Sequence, residues 1–113
     1  MTLLTATLLI LTHDLTHGHQ LQAEVTAYCP CAQCCGQYAD GITASGHRIQ
    51  PGDRFVAADL PFGTLIHVPG YGLVPVLDRG GAIKGDRIDV YFDTHAQALR
   101  WGRQRLTVRV FGG

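Results

Sequence analysis

Turn-forming residues cut this chain into pieces too short for anything but small strands. It holds 14 Gly and 5 Pro in 113 residues, and from Leu21 onward they separate brief apolar runs. "LQAEVTAY" (21–28) precedes a cysteine cluster, "DRFVAAD" (53–59) runs into the turn "LPFG", and "TLIHVPG" (64–70) leads through "YG" into "LVPVLD" (73–78). "DRIDVYF" (86–92) alternates, with Ile88, Val90 and Phe92 on one face and Asp89 and Tyr91 on the other; "LTVRVF" (106–111) sets Leu106, Val108 and Val110 together. Only "DTHAQALRWG" (93–102) has helical spacing, with Asp93 or Thr94 as cap and Gly102 as stop. Short strands at regular intervals with one short helix predict a mainly all-β fold, a small barrel or sandwich.

One domain is all that 113 residues allow. Nine basic side chains balance nine acidic ones, so no net field selects nucleic acid or an anionic surface as partner. The opening "MTLLTATLLIL" is apolar over the length of a signal-peptide core and too short for a membrane span, so residues 1–20 read as a possible leader and 21–113 as the folded domain. No Lys or Arg precedes that run. His13, His17 and His19 follow it, read as a solvated linker in preference to a metal tract.

"YCPCAQCCG" places Cys29, Cys31, Cys34 and Cys35 within seven residues. Three uses stay open: two small disulfides, with a Cys34–Cys35 bridge disfavoured by ring strain; a structural zinc site; or reactive thiols. Zinc sites usually draw ligand pairs from well-separated points of the chain, so one loop supplying all four ligands is unusual.

"VLDRGGAIKGDRIDVYF" (76–92) gathers Asp78, Asp86 and Asp89 among glycines. Asp78 ends a β-run before Arg79-Gly80-Gly81, where a side chain projects over a loop that lets a ligand reach backbone. If Ile88, Val90 and Phe92 face the core, Asp89 faces a cleft or solvent. For any single aspartate near a turn, ordinary surface charge is the commoner explanation.

The combined pattern decides otherwise. "GITASG", "VAADLPFGTLIHVPGYG" and "VLDRGGAIKGDRIDVYFDTHAQALRWG" together resemble the 3D domain, named for three aspartates, found in bacterial cell-wall lytic enzymes such as membrane-bound lytic transglycosylase A and in small stationary-phase muralytic proteins. The resemblance implies a six-stranded double-psi β-barrel and a periplasmic or extracellular site of action on peptidoglycan glycan strands, with no cofactor. It places the three aspartates at Asp59, Asp78 and Asp89, and leaves Asp86 a turn residue. It implies a lytic transglycosylase, in which the 6-hydroxyl of muramic acid replaces water and a 1,6-anhydro product forms, so one carboxyl group serves as acid and then base. Asp89 takes that role, and Asp78 and Asp59 crowd it and bind sugar hydroxyls. Tyr28, Thr43, Ser45, Gly80, Gly81, Lys84 and Gly85 are the expected substrate contacts. Trp101 could stack on a sugar, although a Trp beside a helix end more often belongs to the core. A non-catalytic polysaccharide-binding barrel is the competing expectation, and a metal or redox protein centred on the cysteines a distant third.

Overall fold

The computed structural model describes residues 18–31 and 40–112. The possible leader, apart from Gly18, His19 and Gln20, and both Cys34 and Cys35 lie outside the described residues. Six strands and one helix follow in order: β1 (His19–Tyr28), β2 (Val56–Ala58), β3 (Leu65–Val68), β4 (Gly72–Asp78), β5 (Arg87–Tyr91), α1 (His95–Trp101) and β6 (Gln104–Phe111). The strands close into a barrel in the order β1-β5-β2-β4-β3-β6. Two pairs, β1 with β5 and β2 with β4, are parallel, and the other four are antiparallel. The all-β barrel and the short helix expected within residues 93–102 are therefore both present among the described residues.

Alternation builds the interior. Ala23 and Val25 of β1, Val56 and Ala58 of β2, Ile66 and Val68 of β3, Val74 and Val76 of β4, Ile88 and Val90 of β5 and Val108 and Val110 of β6 form one core, every second residue pointing inward. Each buried Val or Ile contributes roughly 1.5–3 kcal/mol. A second cluster, Tyr28, Phe55, Ala57, Ile83 and Tyr91, packs on the opposite face of β1, β2 and β5, with Phe55 and Tyr91 stacked at 4.6 Å between ring centres.

All six β-runs become strands, but β2 is cut to Val56–Ala58. Asp53 explains the loss at its start: its carboxylate accepts from the Gln50 amide (2.8 Å) and lies 2.8 Å from His47 Nε2, which holds 50–53 in a turn. Those two contacts also keep the Asp53 carboxyl below the usual carboxylate range, the backbone hydrogen bond being the larger cause. Helix α1 starts with a reciprocal capping box between Thr94 and Gln97 and stops at Gly102, whose φ of 70° favours glycine. Gly85 is required in the same way, at φ 60°, in the turn that leads into β5.

Candidate functional site

A cleft of about 660 Å³ opens over the ends of β4 and β5. Its size is ordinary for a small-molecule or glycan site. Ala57 sits at its floor and explains how two carboxylates come together. It pairs with Asp78 of β4 on one side and with Asp89 of β5 on the other. Laterally paired residues project to the same face, so both aspartates enter the cleft on either side of a methyl group that leaves the space between them open. The pairing depends on a register shift. Val56 aligns with Val76 but Ala57 aligns with Asp78, so Leu77 is an extra residue on β4. Such a bulge re-aims a strand's last side chain, here into the cleft.

The two carboxyl groups have opposite surroundings. Asp78 is saturated with donors: Oδ2 accepts from Tyr28 Oη (2.7 Å), and Oδ1 from the amides of Ala44 (2.8 Å) and Arg79 (2.9 Å). Asp89 accepts from Thr26 Oγ1 at 3.0 Å. Its carboxyl is pushed up to about 6, chiefly by burial and further by the negative Asp78; the Thr26 hydrogen bond and the positive Arg87 pull the other way without prevailing. Near neutrality the cleft thus pairs an anchored carboxylate with a carboxyl group able to give and take a proton.

Most of the expected contacts converge here. Tyr28, Thr43, Gly80, Gly81 and Lys84 line the cleft with Asp78 and Asp89. Ser45 is not in the lining but holds Thr43 in place, hydroxyl to hydroxyl at 2.9 Å. Gly85 also lies outside it, shaping the turn after Lys84. Asp59 is exposed and outside the lining. Strand alternation alone would set it on the face of Ala57, but β2 ends at Ala58 and Asp59 falls in the bend beyond. Asp86 stands apart, its carboxylate 3.0 Å from Arg105 on the surface. Trp101 is a core residue: its ring packs against Tyr71 and Phe92, and Nε1 donates to the Val25 carbonyl at 3.3 Å.

Four contributors were not singled out from sequence: Thr26, the Ala44 amide, Ala57 and Arg79. Thr26 carried a signal, since it stands two residues before Tyr28 on the same face of β1. Arg79 donates to the Leu60 carbonyl (2.8 Å) and lies over the Phe62 ring (4.2 Å), which fastens the 60–62 turn to the cleft rim. Of the cysteine cluster, Cys29 and Cys31 are described. No disulfide forms among the described residues, and both sulfurs lie beside His95.

A closed barrel that carries paired aspartates at the mouth of a cleft defines a class of small acid-bearing β-domains. The sequence says which one: residues 53–112 match the 3D domain, and the chain belongs to that family. It is similar to three Bacillus subtilis proteins. YabE, named for cell wall shaping, is 34% identical over 97 residues, covering 82% of this chain and 23% of the relative. The cell wall-binding protein YocH is 37% identical over 75 residues, 62% of this chain and 26% of its own. YorM, from the SPbeta prophage, is 32% identical over 98 residues, 80% and 41% of the two chains. The chain thus spans about a quarter of the length of the first two relatives.

Proposed function

We propose that this domain acts on peptidoglycan in the cell envelope as a lytic transglycosylase, with Asp89 as its acid and base. The observation that carries the reading is the pairing of Asp78 and Asp89 in one cleft, the first held by three donors and the second desolvated. Protonated Asp89 donates to the glycosidic oxygen as the bond from that oxygen to C1 of the muramic residue breaks. The resulting carboxylate takes the proton of the 6-hydroxyl while that oxygen bonds to C1. Asp89 ends protonated, no water is consumed, and the muramic end closes as a 1,6-anhydro ring.

The other residues serve placement and charge. Asp78 faces the positive charge that develops at C1, and its fixed hydrogen bonds spare it any reorganisation as that charge appears. Thr43, supported by Ser45, and the backbone at Gly80 and Gly81 meet sugar hydroxyls, while Gly85 keeps the adjoining turn open. Lys84, exposed on the lining, suits a peptide-stem carboxylate. Asp59, exposed in the bend after β2 and outside the lining, has no part in this step.

A second reading has one specific support, the name of the relative YocH, a cell wall-binding protein: the barrel would hold glycan without cutting it. Purified sacculi separate the two. Incubation with the full chain, followed by mass spectrometry of released muropeptides, yields anhydro-muropeptides that disappear with Asp89→Asn if the first reading holds. Reducing-end products would point to hydrolysis, and co-sedimentation with no release to the binding barrel.

A further inference from the structure

Just past the end of β1, the side chains of Cys29 and Cys31 meet the start of α1. Cys29 Sγ lies 2.8 Å from Cys31 Sγ, and His95 Nδ1 lies 3.7 Å from the first sulfur and 3.6 Å from the second. The histidine is 66 positions from Cys29 in sequence, so the cluster is made by the fold and not by one loop. Cys29 is buried, whereas Cys31 and His95 are half-buried. His95 is also held in advance, because it is the first residue of a helix whose start is fixed by the Thr94–Gln97 capping box.

We propose that Cys29, Cys31 and His95 bind one thiophilic divalent cation, Zn²⁺ among the common ions, and that it ties α1 to the end of β1. With Zn–S near 2.3 Å and Zn–N near 2.0–2.1 Å, a tetrahedral site sets sulfur and nitrogen about 3.6 Å apart. Both sulfur-to-nitrogen separations already have that value. A sulfur-to-sulfur edge of about 3.8 Å is needed, so the half-buried Cys31 has roughly 1 Å to move outward on binding. Charge also fits: two thiolates neutralise the ion and His95 binds as neutral imidazole, so no net charge enters a partly buried site. Three ligands among the described residues leave one tetrahedral position for a further donor. A Cys29–Cys31 disulfide is the competing use of the thiols, but it gives no part to a ring nitrogen placed almost equally far from both sulfurs.

The test uses the full chain, reduced and stripped by chelator, then titrated with Co²⁺ and competed with Zn²⁺. One equivalent of Co²⁺ is expected, with the sulfur-to-metal charge-transfer band and the intense visible bands of tetrahedral thiolate coordination, and Zn²⁺ displaces it. Cys29→Ser with Cys31→Ser abolishes the charge-transfer band, and His95→Gln weakens binding about tenfold or more. A Cys34→Ser, Cys35→Ser variant retains one equivalent with the charge-transfer band. His95 is a half-buried helix-start residue, so its variant tests the site even where a cysteine variant fails to fold. The proposal is overturned by a reduced chain that takes up no stoichiometric Co²⁺, by uptake unchanged in His95→Gln, or by a band that survives loss of Cys29 and Cys31.

Discussion

Asp78 and Asp89 stand on either side of Ala57, each its register partner, and only Asp78 is held by backbone amides. Two neighbouring strand spacings, about 10 Å across in all, separate their main chains, so the side chains share a cleft without bonding directly. One negative charge fixed beside a desolvated carboxyl group is how a carboxylic acid is kept available near neutral pH.

Anhydro-muropeptide release is expected to fall by about 10²- to 10⁴-fold in Asp89→Asn, the usual worth of a positioned general acid. Asparagine keeps the Thr26 hydrogen bond, so glycan binding is retained. In the native chain the rate falls as pH rises through about 6, where Asp89 loses its proton. A rate profile flat from pH 5 to 8, or an Asp89→Asn chain of full activity, removes Asp89 from the acid role.

Stability carries a second signature of the same group. Because the carboxyl is raised from 3.8 to about 6 on folding, the native state holds the proton more tightly than the unfolded chain. The stability this contributes is fully present below the unfolded value and lost as pH rises through the folded one. Chemical denaturation should therefore find Asp89→Asn matched to the native chain near pH 4 and more stable by on the order of 2–3 kcal/mol above pH 7. Parallel pH curves for the two proteins would mean that Asp89 is not desolvated.

Removing one donor from Asp78 should be felt at the cleft. Tyr28→Phe deletes the 2.7 Å hydrogen bond while leaving the amides of Ala44 and Arg79 in place. A loss of about 1.5–3 kcal/mol is expected for a hydrogen bond to a charged group, together with weaker release from sacculi. Asp86→Asn is the control: its ion pair with Arg105 is exposed and worth about 0–1 kcal/mol, so stability and activity stay near native. Equal effects of the two substitutions would contradict the distinction between cleft and surface aspartates.

How far the site could be read from sequence depended on whether a pattern was local. The inward faces of β5 and β6 follow from strict alternation, and Gly102 and Thr94 mark the helix ends by their chemistry. The placement of Asp78 beside Asp89 is another matter, because it rests on the extra Leu77 in β4; Pro75 in "LVPVLD" marks a strand prone to irregularity but does not say where the extra residue falls. Ala57 was unreadable for the same reason, since a small residue gains its meaning only from what flanks it across the sheet. His95 looked like one more residue of a short helix, and its position beside Cys29 and Cys31 is set by barrel closure, beyond the reach of spacing.

Trp101 gives the last test, since the single tryptophan of a chain proposed to bind glycan invites a sugar-stacking role that its packing does not support. Its ring centre is 6.1 Å from that of Tyr71 and 5.9 Å from that of Phe92, and its Nε1 hydrogen is committed to Val25. It also sits 3.6 Å from where a Cβ on Gly70 would lie, so it covers the β3–β4 turn as well as the helix end. Trp101→Leu should cost about 2–3 kcal/mol through lost volume and one hydrogen bond. For a domain of this size the melting temperature then drops by roughly 10 °C or more. Affinity for sacculi, measured well below that melting point, should remain that of the native chain. A stable Trp101→Leu protein with much weaker glycan binding would instead make Trp101 a sugar platform.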